Sequence, residues 1–272
     1  MSFYTTGVVD LEPMAKKSIV PLLIGAGAAL LLLSRSSSDD GCEANCDEVD
    51  DDGGLVAGIR YREFRTEGMP ANANAPMLIF FHGLGSSSAS LNSWGKSWVQ
   101  QVKGPVRVII PESPRLTSPN KYFTWFGSFQ ARTKDQEGLT KIMRQAGQEM
   151  DAFLCQIVQC RPTSGSPVVA GQSQGGSMAY LVSTLSPGRV RGAVAISGWL
   201  PRGLWNPSMA KTFAAHGTQD THVPYGSTEE YWEIVKNAGA PLSTKAFDSG
   251  HDFTGPIFAY AKNSVNELLG YG

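Results

Sequence analysis

The chain has 272 residues, 42% of them hydrophobic and 17% charged, with 30 Gly, 16 Pro and a formal net charge of −1. That length and apolar content build a real core, as one large domain or two small ones, and they exclude whole-chain disorder, a collagen-like repeat and a polytopic membrane protein. Four cysteines are too few for a disulfide-scaffolded mini-protein.

Charge is unevenly spread. Residues 1–54 carry ten acids against three bases, a balance of −7, so the remainder holds +6. That step, followed by Gly53-Gly54, divides the chain into a polar segment 1–17, an apolar segment 18–34, an acidic flexible linker 35–54 and a separately folding body 55–272. The uncharged run between Ile19 and Leu33 follows Lys16-Lys17 and precedes Arg35. As a helix it rises about 22 Å, short of the roughly 30 Å hydrocarbon layer. It reads as a membrane anchor, with a signal-peptide core or a buried helix as alternatives; Ser-Arg-Ser-Ser-Ser follows it where a signal peptide would want an Ala-x-Ala-like cleavage site. The flanking bases keep the N-terminus inside, so the body is expected outside the cytoplasm, anchored or, after signal cleavage, secreted. Cys42 and Cys46 admit a local disulfide, and Cys155 and Cys160 are either paired or free.

The body alternates two patterns. The runs 55–66, 77–81, 106–110, 167–170, 190–196, 212–215 and 242–247 are short and apolar or β-branched, bounded by Gly, Pro or Ser, and read as strands. The first of them alternates Val56, Ile59, Tyr61 and Phe64 with polar residues, as an antiparallel edge strand does. Helical periodicity occupies 93–102, 136–158, 175–185, 226–238 and 256–269. Strand and helix in alternation predict an α/β fold: a mostly parallel central sheet with helices on both faces.

Chemistry concentrates at the ends of the predicted strands. Gly171-Gln172-Ser173-Gln174-Gly175 satisfies G-x-S-x-G between a strand and a helix, the setting in which a sharp turn lifts a serine hydroxyl over a helix N-terminus. A serine hydroxyl needs a base. Of four histidines, His82 and His216 each precede a glycine at a strand end and suit a structural role, and His222 suits a loop. His251 lies between the last strand and the last helix, where a base reaches such a serine. A carboxylate must then fix the imidazole tautomer. Asp220 lies in the loop after strand 212–215, while Asp248 and Asp252 are rivals too close to His251 in sequence. The order Ser173, Asp220, His251 is that of α/β-hydrolases and differs from the two common serine-protease orders. The developing oxyanion would take the N–H of Gln174, after the nucleophile, and that of Leu84 in His82-Gly83-Leu84-Gly85.

Taken in order, His82-Gly-Leu-Gly85, Pro111-Glu-Ser-Pro114, Thr124-Trp-Phe126, Gly171-Gln-Ser-Gln-Gly-Gly176, Ser197-Gly-Trp-Leu-Pro201, His216-Gly-Thr-Gln-Asp220 with Val223-Pro224, and Gly250-His251 resemble the phospholipase/carboxylesterase family, which includes acyl-protein thioesterases and small bacterial carboxylesterases. The resemblance covers nearly all of 55–272 and none of the first 54 residues. It implies the α/β-hydrolase fold, a serine hydrolase with Ser173, Asp220 and His251 as triad, Leu84 and Gln174 as oxyanion donors, and a channel for a medium acyl chain. The chain departs from the family pattern at Ser86-Ser87-Ser88, where Asp is usual, and at Gln172, where Phe is frequent; 117–133 also has its own sequence.

The expected activity is therefore cleavage of carboxylic esters or thioesters of short to medium acyl chains, on a small-molecule ester or lipid-like substrate. A lysophospholipase, a polyester depolymerase and a non-catalytic surface component on the same scaffold are the alternatives. Trp125, Phe126, Trp199 and Leu200, in aromatic clusters after strands, are candidates to line an acyl groove. No nucleotide, flavin or metal motif is present, so chemistry without a cofactor is expected. No basic stripe suggests nucleic acid, and the oligomeric state is open.

Overall fold

The computed structural model describes residues 43, 44, 46, 49, 50, 52–117, 122–127 and 135–272. The expected polar segment 1–17 and the apolar segment 18–34 lie outside the described residues, as do most of the linker and Cys42. Among the described residues no helix is long and apolar enough to cross a membrane.

Among the described residues nine strands form one sheet: β1 (Val49–Asp50), β2 (Gly53–Val56), β3 (Ile59–Arg65), β4 (Met77–Phe81), β5 (Arg107–Pro111), β6 (Val168–Gln172), β7 (Gly192–Ile196), β8 (Thr212–Gly217) and β9 (Leu242–Phe247). Their spatial order is β1-β2-β3-β5-β4-β6-β7-β8-β9. From β5 to β9 all neighbours are parallel, and β1, β2 and β3 join antiparallel. Among the described residues five α-helices connect them: α1 (Ser88–Gln101), α2 (Gln136–Cys160), α3 (Gln174–Leu185), α4 (Tyr225–Asn237) and α5 (Gly255–Leu269).

Period-two alternation assigns each strand residue to one of two cores. In β4, Met77, Ile79 and Phe81 face one side with α2, α3 and α4, where Met143, Phe153, Met178 and Tyr231 are buried. Leu78 and Phe80 face the other side with α1 and α5, among Trp98, Ile257 and Val265. Both faces of the parallel strands β4 to β8 are thus covered, which is why these strands read as continuous apolar runs, while β9 at the edge keeps exposed polar residues.

Three local expectations change. The run 55–66 is a hairpin of β2 and β3 turning at Ala57-Gly58, both at positive φ, and β3 is interior, bonded to β2 and β5. The sheet begins inside the stretch read as linker, because ladder hydrogen bonds ask nothing of the side chains there. Helix α1 starts at Ser88 and not near 93: Ser87 and Ser90 form a capping box, the Ser87 N–H donating to Ser90 Oγ at 2.8 Å. The cysteines pair across the fold, Cys46 with Cys160 over 114 residues, and Cys155 is disulfide-bonded as well.

Strand β4 has β5 on one side and β6 on the other. The chain leaves β4 outward and returns across it, which opens a crevice at the carboxyl ends of β4 and β6. The turns that follow β4, β6, β8 and β9 all open at that end of the parallel strands.

Candidate active site

Ser173 joins β6 to α3 at φ 60° and ψ −122°, a conformation that costs a side-chain-bearing residue energy and that the surroundings must enforce. Two glycines enforce it. A Cβ on Gly171 would stand 2.2 Å from the Gly175 carbonyl oxygen, and one on Gly175 would stand 1.9 Å from that of Phe81. Strand β6, helix α3 and the end of β4 therefore pack backbone to backbone. The Ser173 N–H is held by the Ile196 carbonyl at 2.9 Å, and the hydroxyl is presented at the strand ends.

His251 and Asp220 meet because their loops are laced together. The Thr218 N–H donates to Phe247 O and the Gln219 N–H to Ser249 O, at 2.8 and 2.9 Å. Gly217 lies so close to this loop that a Cβ there would be 2.1 Å from Gly250 O. His251 Nδ1 consequently stands 2.6 Å from Asp220 Oδ2, and His251 Nε2 stands 2.9 Å from Ser173 Oγ. With a carboxylate facing Nδ1, the imidazole carries its hydrogen there, and the Nε2 lone pair is left to accept from the serine hydroxyl.

The Asp220 side chain is fully buried. Burial alone would raise its pKa, but hydrogen bonds from His216, His251 and the Val223 N–H outweigh that and hold the carboxyl well below the usual carboxylate range. The His222 and Val223 N–H groups both donate to Oδ1 at 2.9 Å. His216 Nε2–H points between Asp220 Oδ2 at 3.1 Å and Val223 O at 2.9 Å. Its Nδ1 is buried with no partner among the described residues. His216 thus acts as a second imidazole donor on the same carboxylate, a contact that its position before Gly217 did not disclose. The ring of His222 lies against that of His251, with centroids 5.1 Å apart, and Asp248 accepts from Gln219 Nε2 at 2.6 Å.

His82 is a structural histidine. Nδ1–H donates to Gly83 O at 2.9 Å and Nε2 accepts the Ser113 N–H at 3.1 Å, while the ring stacks on Trp125 with centroids 4.9 Å apart. Burial pulls its pKa down to about 4, against the smaller upward pull of the Gly83 bond. It fixes the turn at which Gly83 meets the elbow: a Cβ on Gly83 would be 3.5 Å from the Ser173 Cβ. Leu84 follows in that turn, half-exposed, and Gln174 is the first residue of α3, where backbone N–H groups have no intrahelical acceptor. The Gln174 side chain does separate work, accepting the Trp125 N–H at 3.0 Å and donating to Gly127 O. It ties the segment 122–127 to the elbow.

The expected groove residues are placed differently. Trp125, Phe126, Trp199 and Leu200 are 1%, 3%, 7% and 0% exposed and belong to the core. Trp125 is spent on His82, stacking on its ring and donating Nε1–H to its carbonyl at 2.9 Å. Trp199 borders a cavity of about 290 Å³, which it shares with Arg202, Trp205 and Glu230. The expectation of a groove lining gives way here to core packing, since a large apolar ring gains much from burial against neighbouring rings. Among the described residues no three His, Cys, Asp or Glu side chains are grouped to hold a metal ion.

Comparison with known proteins agrees with this architecture. Residues 68–269 match the model of the phospholipase/carboxylesterase family. Acyl-protein thioesterase 1 of Mycosarcoma maydis is 29% identical over 180 residues, 59% of this chain and 75% of that protein. That of Candida albicans is 25% identical over 191 residues, 63% and 82%. Among solved structures, the Bacillus cereus carboxylesterase superposes with a TM-score of 0.62 at 19% identity, over 77% of this chain and 94% of that one. Acyl-protein thioesterase 2 of Zea mays gives 0.59 at 21%, over 78% and 99%; at these identities the likeness is one of fold. With its elbow, its strand order and a family match across most of its length, the chain belongs to the phospholipase/carboxylesterase family of α/β-hydrolases and is a hydrolase.

Proposed function

We propose that the protein is a serine carboxylesterase acting on esters of short to medium acyl chains through an acyl-enzyme. The observation that carries this reading is the unbroken relay from Asp220 through His251 to Ser173, at 2.6 and 2.9 Å. Ser173 Oγ attacks the ester carbonyl as its proton passes to His251 Nε2. The Gln174 and Leu84 N–H groups receive the developing oxyanion, each such donor being worth roughly 3–4 kcal/mol in the transition state. Collapse expels the alcohol, which takes the proton back from His251. Water, activated by the same imidazole, then frees the acid and restores Ser173. Asp220 stays ionised throughout and stabilises the imidazolium.

Ser173→Ala is expected to reduce kcat/KM on 4-nitrophenyl butanoate by about 10⁴-fold or more, and in the parent kcat/KM is expected to fall as the acyl chain lengthens beyond medium size. A Ser173→Ala enzyme as fast as the parent would overturn the reading.

The same reading places the hydrolase outside the cytoplasm, held to a membrane by the apolar run between Ile19 and Leu33. The Cys46–Cys160 disulfide supports this, since such bonds persist in oxidising compartments. Fractionation of cells making the full chain tests it: activity in washed membranes supports the anchor, and activity released to the medium supports signal cleavage. Activity confined to the cytosol contradicts both.

A further inference from the structure

Gln172 stands immediately before the nucleophile, as the last residue of β6. Its amide spans the site. Oε1 faces the turn after β4, lying 3.3 Å from where a Gly83 Cβ would be, and Nε2 lies 3.3 Å from His251 Nε2. The imidazole nitrogen that exchanges protons with Ser173 therefore has a second donor beside it.

That placement matters at one step. While the Nε2 lone pair is free, it accepts from both the Ser173 hydroxyl and the Gln172 amide. Once Nε2 has taken the serine proton it no longer accepts, so from formation of the tetrahedral intermediate until its collapse the amide N–H is without that partner. In collapse the bond from carbon to the leaving oxygen breaks, and its electron pair goes to that oxygen, which takes the proton from His251 Nε2 as the carbonyl re-forms on Ser173. To take that proton the leaving oxygen must come within hydrogen-bond distance of Nε2, and this brings it within reach of the neighbouring amide.

Resting on the serine-esterase reading, we propose that Gln172 is a specificity-determining residue that donates a hydrogen bond to the leaving oxygen, and that it tunes the site to oxygen esters of unactivated alcohols over thioesters. The chemistry separates the two classes. An alkoxide is a strong base and a strong acceptor, and it gains from a second donor. Sulfur is a weak acceptor, and a thiolate, a far weaker base than an alkoxide, departs with little help. A nitrophenolate likewise leaves without a proton.

The test is kcat/KM, which reports acylation, for ethyl butanoate, S-ethyl thiobutanoate and 4-nitrophenyl butanoate with the parent, Gln172→Ala and Gln172→Met. Methionine keeps the length of the side chain and removes the donor. A single hydrogen bond at this step corresponds to a loss of about 3- to 10-fold, so the ethyl ester is expected to fall by that factor relative to the other two substrates in both variants. Equal changes on all three substrates, including no change, overturn the proposal, as does a larger loss on the thioester. Fluorophosphonate labelling of Ser173 in each variant separates this failure from failure of the serine mechanism. A labelled Ser173 with equal losses removes only the role of Gln172, whereas an unlabelled Ser173 in an active parent removes the esterase reading itself.

Discussion

Two carboxylates, Asp220 at the strand ends and Glu63 in β3, have fully buried side chains, and they are used in opposite ways. Glu63 is surrounded by guanidinium groups: Arg107 Nε at 2.8 Å, Arg65 at 3.2 Å, and Arg161. Arg107 in turn donates to the carbonyls of Pro162 and Ala71 at 2.7 and 2.5 Å, so the cluster binds β3, β5, the 66–76 loop and the end of α2 into one body. Guanidinium does not release its proton at any working pH, so the arginines around Glu63 are permanent cations. Asp220 is held by two imidazoles and two backbone N–H groups, and imidazole is the side chain that gains and loses a proton near neutrality. A buried acid facing permanent cations is a fastener. One facing imidazole is, in the mechanism proposed above, a chemical component.

The largest effects should fall on the second kind. Asp220→Asn removes the charge opposite the imidazolium and allows the wrong His251 tautomer, and is expected to lower kcat by about 10³- to 10⁴-fold, with little change in thermal stability relative to that loss. Steady-state kinetics beside calorimetry checks both halves. Glu63→Gln should do the reverse. Leaving Arg107 and Arg161 buried without their counter-charge is expected to cost about 3–5 kcal/mol of stability, while turnover per folded molecule holds. Urea unfolding with active-site titration measures this, and a Glu63→Gln protein that is as stable as the parent but inactive would collapse the contrast.

A third prediction concerns the histidine next to the site that does no proton chemistry. His82 is depressed in the fold to about 4 by burial, whereas an unfolded histidine titrates near 6.5. Between those values the unfolded chain binds more protons, so stability present above pH 6.5 is lost as pH falls toward 4, by on the order of 3 kcal/mol. Trp125, stacked on that ring, is the fluorescent reporter. An unfolding free energy flat across that window would show that His82 does not stay unprotonated in the fold.

Much of this was legible in the sequence, and for identifiable reasons. The parallel strands β4 to β8 carry continuous apolar runs, since both of their faces are buried, and the elbow motif with the chain order of Ser173, Asp220 and His251 points to residues that the structure brings together. What was not legible depends on partners distant in the chain. Glu63, Arg107 and Arg161 are charged residues that pattern reading assigns to solvent, and their burial follows only from the pairing of β3 with β5. Cys46 finds Cys160 through tertiary folding that spacing does not encode. The start of α1 was hidden in a run of serines, where only the reciprocal Ser87–Ser90 bonds mark the cap. The aromatic residues near the site were misplaced because composition does not say which rings have neighbours to pack against.

The most direct test of the central claim is to react the full chain with a fluorophosphonate and map the adduct by peptide mass spectrometry. A single adduct on Ser173, forming at least about a hundredfold more slowly in His251→Ala, is the result predicted for a hydroxyl activated by that imidazole. An adduct on another residue, or undiminished labelling of Ser173 in His251→Ala, would contradict it.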